Sequence, residues 1–224
     1  MLGLPDGITA CLFDLDGVLT NTAAVHARAW KETFEASGQA FDTDADYNRY
    51  VDGKPREDGI RDFLASRGIQ PSDDEVAKLS EAKNDLVLRL IHEAGVEAYP
   101  GSVRYVHAAR DAGLRRAVVS SSHNCQEVLE AAGIADLIEV RVDGNVTDAL
   151  RLRGKPAPDT FLEGARRLKV HRDQCVVFED ALAGVQAGRA GNFGFVVGVD
   201  RVGQREALLE HGADIVVDDL AELI

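Results

Sequence analysis

The sequence predicts an α/β fold in which a doubly wound, parallel, Rossmann-like sheet forms the core and an α-helical cap is inserted into it. Three observations support this. A short apolar run at 11–13 is typical of a strand, residues 20–95 show helical periodicity, and apolar runs alternate with helical patterns from residue 99 onward. We therefore expect a core domain of residues 1–19 and 96–224 and a cap domain of residues 20–95.

The spacing of apolar residues places each element in turn. Cap helices are expected at 23–37, 56–67 and 73–94. The core resumes at 99–102, where Pro100 and Gly101 mark a turn. Its helices are predicted at 103–112, 126–132, 159–168 and 182–190, and its later strands at 117–120, 138–140, 175–178, 193–199 and 215–217. Strands that alternate with helices form parallel sheets.

Composition restricts the classes of partner. The 224 residues carry a net charge of −13, which argues against nucleic acid or an anionic membrane as a partner. The sequence has no apolar run long enough to span a bilayer, and its N-terminus lacks the features of a signal peptide. The cysteines Cys11, Cys125 and Cys175 form no CxxC pair and are expected to be buried thiols. We expect a cytoplasmic protein that acts as a monomer.

Two acids follow the first predicted strand directly. Asp14 and Asp16 lie two residues apart at the end of the apolar run, where open α/β sheets bind their ligands. Carboxylates at this spacing repel each other unless a cation lies between them, and a hard cation such as Mg²⁺ takes oxygen ligands. One acid can then attack phosphorus while the other handles a proton. The alternative is a pair of ordinary turn acids.

Three later stretches repeat or complement this chemistry. The string VVFEDALAG ends a predicted strand in Glu179 and Asp180, although such acids also favour a helix N-terminus. The string VVSSSHN places Ser120 at a strand end, where it holds a phosphoryl oxygen or only caps a helix. The string GKPAPDTF offers Lys155, either as a charge partner for a phosphoryl group or as a solvated loop lysine.

Together these strings resemble the motifs of a known superfamily. DLDGVLTNT, starting at Asp14, resembles motif I of the haloacid-dehalogenase-like superfamily of phosphoaspartyl enzymes, and VVSSSHN, GKPAPDTF and VVFEDALAG resemble motifs II, III and IV. The resemblance implies that Asp14 is the nucleophile and Asp16 the general acid/base. It also implies catalytic roles for Ser120 and Lys155. The implied Mg²⁺ ligands are Asp14, the carbonyl of Asp16, Glu179 and Asp180.

The cap strings DGKPRED, AKND and TNTAAVHARAW resemble the β-phosphoglucomutase branch of that superfamily. By this resemblance Arg56 clamps a non-transferring phosphate, Gly53 and Lys54 shape the adjacent loop, and His26 couples cap closure to Asp16. The other implied substrate contacts are Trp30, Lys83, Asn84, Ser122, His123 and Asn124. His123 stands where the family has lysine, Asn21 where it often has Asp, and Gly59 where a substrate-contacting Ser can occur.

Each cap residue also has a structural interpretation. Trp30 fits a helix core, His26 an ordinary polar helix position, and Arg56 and Lys83 fit pairing with neighbouring acids such as Glu57 and Glu81. The resemblance implies interconversion of β-D-glucose 1-phosphate and glucose 6-phosphate through an aspartyl phosphate and glucose 1,6-bisphosphate. The alternatives are a Mg²⁺-dependent sugar-phosphate phosphatase and a sugar-phosphate sensor without catalytic activity.

Overall fold

The strands of the protein form one parallel sheet. The computed structural model describes residues 2–224, and its six-stranded sheet has the order β3-β2-β1-β4-β5-β6. The strands are β1 (Ala10–Phe13), β2 (Arg115–Val119), β3 (Val140–Val142), β4 (Cys175–Glu179), β5 (Phe195–Val199) and β6 (Ile215–Val217). From β1 the chain runs to one edge through β2 and β3 and to the other through β4, β5 and β6. The crevice at such a reversal is where open α/β sheets bind ligands.

The strands are buried on both faces because helices cover them. Core helices are α4 (Pro100–Asp111), α5 (Cys125–Ala131), α6 (Gly144–Leu150), α7 (Asp159–Leu168), α8 (Leu182–Ala190) and α9 (Arg205–His211). Successive side chains of β1 point to opposite faces. Cys11 and Phe13 therefore belong to one apolar cluster and Ala10 and Leu12 to the other. The predicted fold class, with its parallel sheet between helical layers, is confirmed.

The segment between β1 and α4 is built from helices. It contains α1 (Ala23–Ala36), a π-helical turn at Tyr47–Val51, α2 (Arg56–Ser66) and α3 (Asp73–Ala94). A separate apolar cluster holds these elements together, and its centre is Phe34, whose ring centroid lies 4.1 Å from that of Phe63. Residues 20–95 of this segment are called the cap below, and the rest of the chain is called the core.

The cap joins the core through two chain segments that run side by side. The amide of Tyr99 donates to the carbonyl of Leu19 at 2.9 Å, and the amide of Asn21 donates to the carbonyl of Glu97 at 2.8 Å. These bonds lie beside the predicted domain boundaries. The boundaries themselves stay a prediction.

Several elements differ from their predicted bounds. Helix α4 begins at Pro100 rather than 103, because proline has no amide hydrogen to lose in a first helical turn. Strand β3 lies at Val140–Val142 rather than 138–140, since a short 3₁₀ turn at Ala135–Leu137 delays it. Helices α6 and α9 and the turn at Tyr47–Val51 were not predicted.

Two predictions from composition can be compared with the structure. All three cysteines are buried and free. Within residues 2–224, none of the helices combines the length and apolar character that a membrane span requires.

Candidate active site

Asp14 lies at the carboxyl end of the central strand and is paired with Lys155. The Lys155 ammonium donates to Asp14 Oδ1 at 2.5 Å and to the Val119 carbonyl at 3.0 Å, and lies 2.6 Å from Glu179 Oε1. Both side chains of the Asp14–Lys155 pair are buried. Burial alone would lower the pKa of Lys155, but Asp14 and Glu179 raise it, so the lysine keeps its charge. A fixed cation therefore lies beside the predicted nucleophile.

The two predicted acid pairs meet at this edge of the sheet. Carboxylate oxygens of Asp14, Glu179 and Asp180 all lie within 4.8 Å of one another in a buried cluster. Burial, reinforced by neighbouring acids, raises the pKa of Asp14 and of Asp180, although Lys155 opposes this at Asp14. Gly17 has a φ of +90°, and a β-carbon there would overlap the Asp180 carboxylate.

This cluster fits a divalent cation. Its donors are all oxygen, and its acids have one buried lysine as a close charge partner among the described residues, which leaves negative charge for a hard cation to offset. Glu179 differs from the other two acids, because Oε1 faces Lys155 and Oε2 accepts from the Ala181 amide at 3.0 Å. Both Glu179 oxygens thus already have partners within the protein.

Asp16 points towards the cap and joins a row of polar groups. Thr22 Oγ1 donates to Asp16 Oδ1, His26 Nε2 lies 3.4 Å from the same oxygen, and the Lys83 ammonium lies 2.7 Å from His26 Nδ1. Burial would raise the pKa of Asp16, but the neighbouring His26 and the hydrogen bond from Thr22 lower it to about 2. Asp16 is thus ionised and able to accept a proton.

Lys83 stands at the far end of this row, inside the cap. Burial and the charge of Arg56 lower the pKa of Lys83 to about 7, although Asp16 acts in the opposite direction. Its ammonium also lies 4.8 Å from the ring centroid of Trp30. Trp30 is 3% exposed and stacks on Phe34, so it packs in the cap core, and it also lines the cleft; its contact with the substrate stays a prediction.

Arg56 reaches the cleft from the start of α2. Its guanidinium donates to the Ser80 carbonyl at 3.0 Å and to Asn84 Oδ1 at 2.9 Å, and the same Asn84 oxygen accepts from Asn124 Nδ2 at 3.0 Å. A further cap–core hydrogen bond runs from Ser121 Oγ to the Gly53 carbonyl at 2.8 Å. These bonds hold the cap against the core around the cleft.

Cap and core enclose a cavity of about 60 Å³. That volume holds a few water molecules, and a hexose phosphate needs more. The predicted residues that line it are Asp14, Asp16, His26, Trp30, Gly53, Lys54, Arg56, Lys83, Asn84, Ser122, Asn124 and Asp180. Ser120, Lys155 and Glu179 are buried. Ser120 Oγ accepts from the Ser122 amide at 3.0 Å. His123 lies on the outer side, next to Asp148.

Five further residues line the cavity and were not predicted as site residues: Tyr47, Val51, Asp52, Val87 and Ser121. Asp52 and Ser121 belong to the strings DGKPRED and VVSSSHN, so the motifs held a signal for them. Tyr47 lies on the unpredicted π-helical turn. Burial, followed by the charge of Glu179, raises the pKa of Asp52 to about 7.

Known proteins are similar to this chain over most of its length. A family model described as haloacid dehalogenase-like hydrolase matches residues 8–192. The chain belongs to the haloacid dehalogenase-like hydrolase family. A relative from Mycobacterium bovis, named β-phosphoglucomutase, is 49% identical over 100% of this chain and 94% of its own length. A Bacillus subtilis protein of the same name is 34% identical, covering 96% and 91%.

A solved structure agrees with these family relationships. The crystal structure of β-phosphoglucomutase from Clostridium difficile superposes with a TM-score of 0.84 at 31% identity, covering 97% of this chain and 93% of that one. The family assignment made from the four motifs is therefore confirmed, together with the fold. The roles of individual site residues stay predictions.

Proposed function

We propose that the protein is a phosphomutase that interconverts β-D-glucose 1-phosphate and glucose 6-phosphate through an aspartyl phosphate and glucose 1,6-bisphosphate. One observation carries the proposal: a single cavity has Asp14 on its core wall and Arg56 and Lys83 on its cap wall. A phosphatase needs to bind one phosphate, whereas a mutase must bind a second phosphate away from the nucleophile. The names of the full-length relatives support the same reaction.

In the proposed reaction, phosphorylated Asp14 transfers its phosphoryl group to the free hydroxyl of the sugar monophosphate. Asp16, already ionised, takes the proton of that hydroxyl. The bisphosphate then reorients so that its other phosphoryl group faces Asp14. That group passes to Asp14, and Asp16 returns the proton to the leaving oxygen. Lys155 and Ser120 would offset charge on the transferring group and hold its oxygens.

We propose Mg²⁺ as the cation of the acid cluster, held by Asp14, the Asp16 carbonyl, Glu179 and Asp180. When bound, it would neutralise charge on the nucleophile and on the transferring phosphoryl group. The all-oxygen donor set supports a hard divalent cation, and the reactant phosphate supports Mg²⁺ among these.

We further propose that residues 20–95 move as a cap relative to residues 1–19 and 96–224. The small cavity supports this, because a sugar phosphate would enter only after the cap and core separate. Closure around the substrate would then bring Arg56 to the non-transferring phosphate and keep water from the phosphorylated Asp14. The monomeric state and the absence of a nucleic-acid partner stay predictions.

A ³¹P NMR time course tests the function. The protein is mixed with Mg²⁺, β-glucose 1-phosphate and a trace of glucose 1,6-bisphosphate. We expect a glucose 6-phosphate signal to grow without free phosphate. Free phosphate as the main product would replace the proposal with the phosphatase alternative, and an unchanged spectrum would reject this substrate. Arg56→Ala should abolish the mutase signal while the hydrolysis of a small phosphate ester continues.

A further inference from the structure

The imidazole of His123 is held between an acid of the core and an arginine of the cap. Its Nε2 lies 2.8 Å from Asp148 Oδ2, and its Nδ1 lies 3.5 Å from a terminal nitrogen of Arg56. His123 follows β2, Asp148 lies on α6, and Arg56 begins α2. The three side chains therefore form a row that crosses from core to cap on the outer side of the cleft.

The start of α6 fixes the imidazole ring in place. A β-carbon at Gly144 would lie 2.8–2.9 Å from three atoms of the ring, so the ring rests directly on the backbone there. Asn145 Nδ2 also donates to the His123 carbonyl at 2.8 Å. The helix itself is anchored by Asp143, whose buried carboxylate accepts from the Val146 amide at 3.0 Å. The orientation of the ring is thus set by packing and by hydrogen bonds to one short helix.

The neighbours of the ring set the hydrogen-bonding role of each nitrogen. The Asp148 carboxylate only accepts hydrogen bonds, so Nε2 donates to it. The Arg56 guanidinium only donates, so Nδ1 accepts from it. Both nitrogens are thus engaged, and neither has a hydrogen left for a phosphate. His123 consequently cannot do here what the family's lysine would do as a point charge on the phosphate.

The guanidinium of Arg56 has partners on two sides. Ser80 and Asn84 hold it from the cap, and His123 is its partner from the core. Contacts within the cap persist whether the cap is open or closed, whereas the contact with His123 needs the closed arrangement. A hydrogen-bond acceptor on the core can therefore orient Arg56 specifically in the closed state.

We propose that Asp148 and His123 are positioning residues: Asp148 accepts from Nε2 of His123 and holds the ring with Nδ1 towards the cap, and His123 in turn orients Arg56 over the cleft when the cap closes. This inference rests on the proposed function, in which Arg56 binds the non-transferring phosphate. It assigns His123 an indirect role in place of the direct phosphate contact that the sequence predicted.

Two substitutions of His123 separate the indirect role from the direct one. His123→Gln keeps one donor for Asp148 and one acceptor for Arg56 without charge. His123→Lys restores the family residue and places a cation beside Arg56. We expect kcat/KM for β-glucose 1-phosphate to fall no more than about threefold in the Gln variant and about tenfold or more in the Lys variant, mainly through KM. A Lys variant at least as active as the Gln variant would overturn the proposal.

Asp148 needs its own variant, because it is 72% exposed and a surface acid is often dispensable. Asp148→Asn should raise KM for β-glucose 1-phosphate about three- to tenfold with a smaller change in kcat, since the amide can donate to Nε2 and permit the other tautomer. Asp111→Asn is the matched control, because Asp111 is 68% exposed and paired with Arg110 on α4, away from the cleft. Equal KM values for the two variants would overturn the role of Asp148.

The wild-type conversion is measured before the variants. Failure of the wild type to form glucose 6-phosphate would reject the proposed function itself. If the wild type converts the substrate normally but kcat/KM of the Lys variant is at least that of the Gln variant, only the positioning role is rejected. Circular dichroism and thermal unfolding of each variant show whether a loss of activity comes from the cleft or from a damaged fold. If His123 had only a structural role, the Gln and Lys variants would differ in stability rather than in KM.

Discussion

Gly53 of the cap lies close against the core beside Asp180, which makes closure sensitive to one methyl group. Gly53 has a φ of +68°, and a β-carbon there would lie 2.8 Å from the Ala181 β-carbon, beside the acid pair of the core. Carbon atoms in ordinary contact lie about 3.5–4.0 Å apart, so the loop or the core must shift by about 1 Å. The substitution Gly53→Ala therefore opposes the closed state directly.

Two costs add in this variant. The left-handed backbone disfavours alanine by about 1–2 kcal/mol in every state of the cap. The overlap with Ala181 arises on closure and costs about 1–3 kcal/mol, as overpacking typically does. Because about 1.4 kcal/mol corresponds to a factor of ten, the overlap lowers the ratio of closed to open protein by about 5- to 150-fold. We expect kcat/KM for the conversion of β-glucose 1-phosphate to fall by the same range.

Gly68→Ala provides the matched control, since Gly68 has a φ of +75° and no atom lies within 4 Å of the β-carbon that it would acquire. Both variants should lose about 1–2 kcal/mol of unfolding free energy, measured by urea denaturation, but Gly68→Ala should keep its activity. A Gly53→Ala enzyme with wild-type kcat/KM would refute this reasoning. So would a Gly68→Ala enzyme that loses as much activity.

Three further predictions concern the acids of the cleft. Asp14→Asn should lower glucose 6-phosphate formation by roughly 10⁴-fold or more, and substantial residual turnover in the NMR assay would end its assignment as nucleophile. Mg²⁺ at about 100 times its Kd should stabilise the wild type by about 2.7 kcal/mol in thermal unfolding, whereas Asp180→Asn should remove most of this effect. Burial and Glu179 raise the pKa of Asp52 from 3.8 to about 7, so the folded protein binds more protons than the unfolded chain between these values and loses stability as the pH rises through them. In EDTA, Asp52→Asn should therefore gain unfolding free energy relative to the wild type from pH 4.5 to 7, and a pH-independent difference would contradict this.

The sequence predicted those elements whose signals are local. Helix α7 was expected at its observed bounds, Asp159–Leu168, because its apolar residues recur on one face. Helix α3 begins with a capping box between Ser72 and Glu75, which is a signal of the same local kind. The acids of the site were also predictable, since each pair directly follows a buried apolar strand and parallel strands end at one edge of the sheet.

The unpredicted parts depend on contacts between distant residues. Helix α6, which carries Asp148, has seven residues and was not predicted. His123 and Asp148 are 25 positions apart, so nothing in the sequence shows that they pair. The sequence around Asp52 is typical of a turn, where acids are common. Its contact with the core depends on how the cap packs, which the sequence does not show.

The charges of the cleft explain how a protein with a net charge of −13 can attract an anionic substrate. On the core wall, Asp14, Asp180 and their neighbours leave negative charge that Lys155 alone does not offset. On the cap wall, burial and the charge of Arg56 lower the pKa of Lys83 to about 7, so two cationic side chains are crowded together there. The core wall therefore carries excess negative charge and the cap wall excess positive charge. A divalent cation on the core side and a phosphate on the cap side relieve both, and such local conflicts are typical of functional sites in otherwise consistent folds.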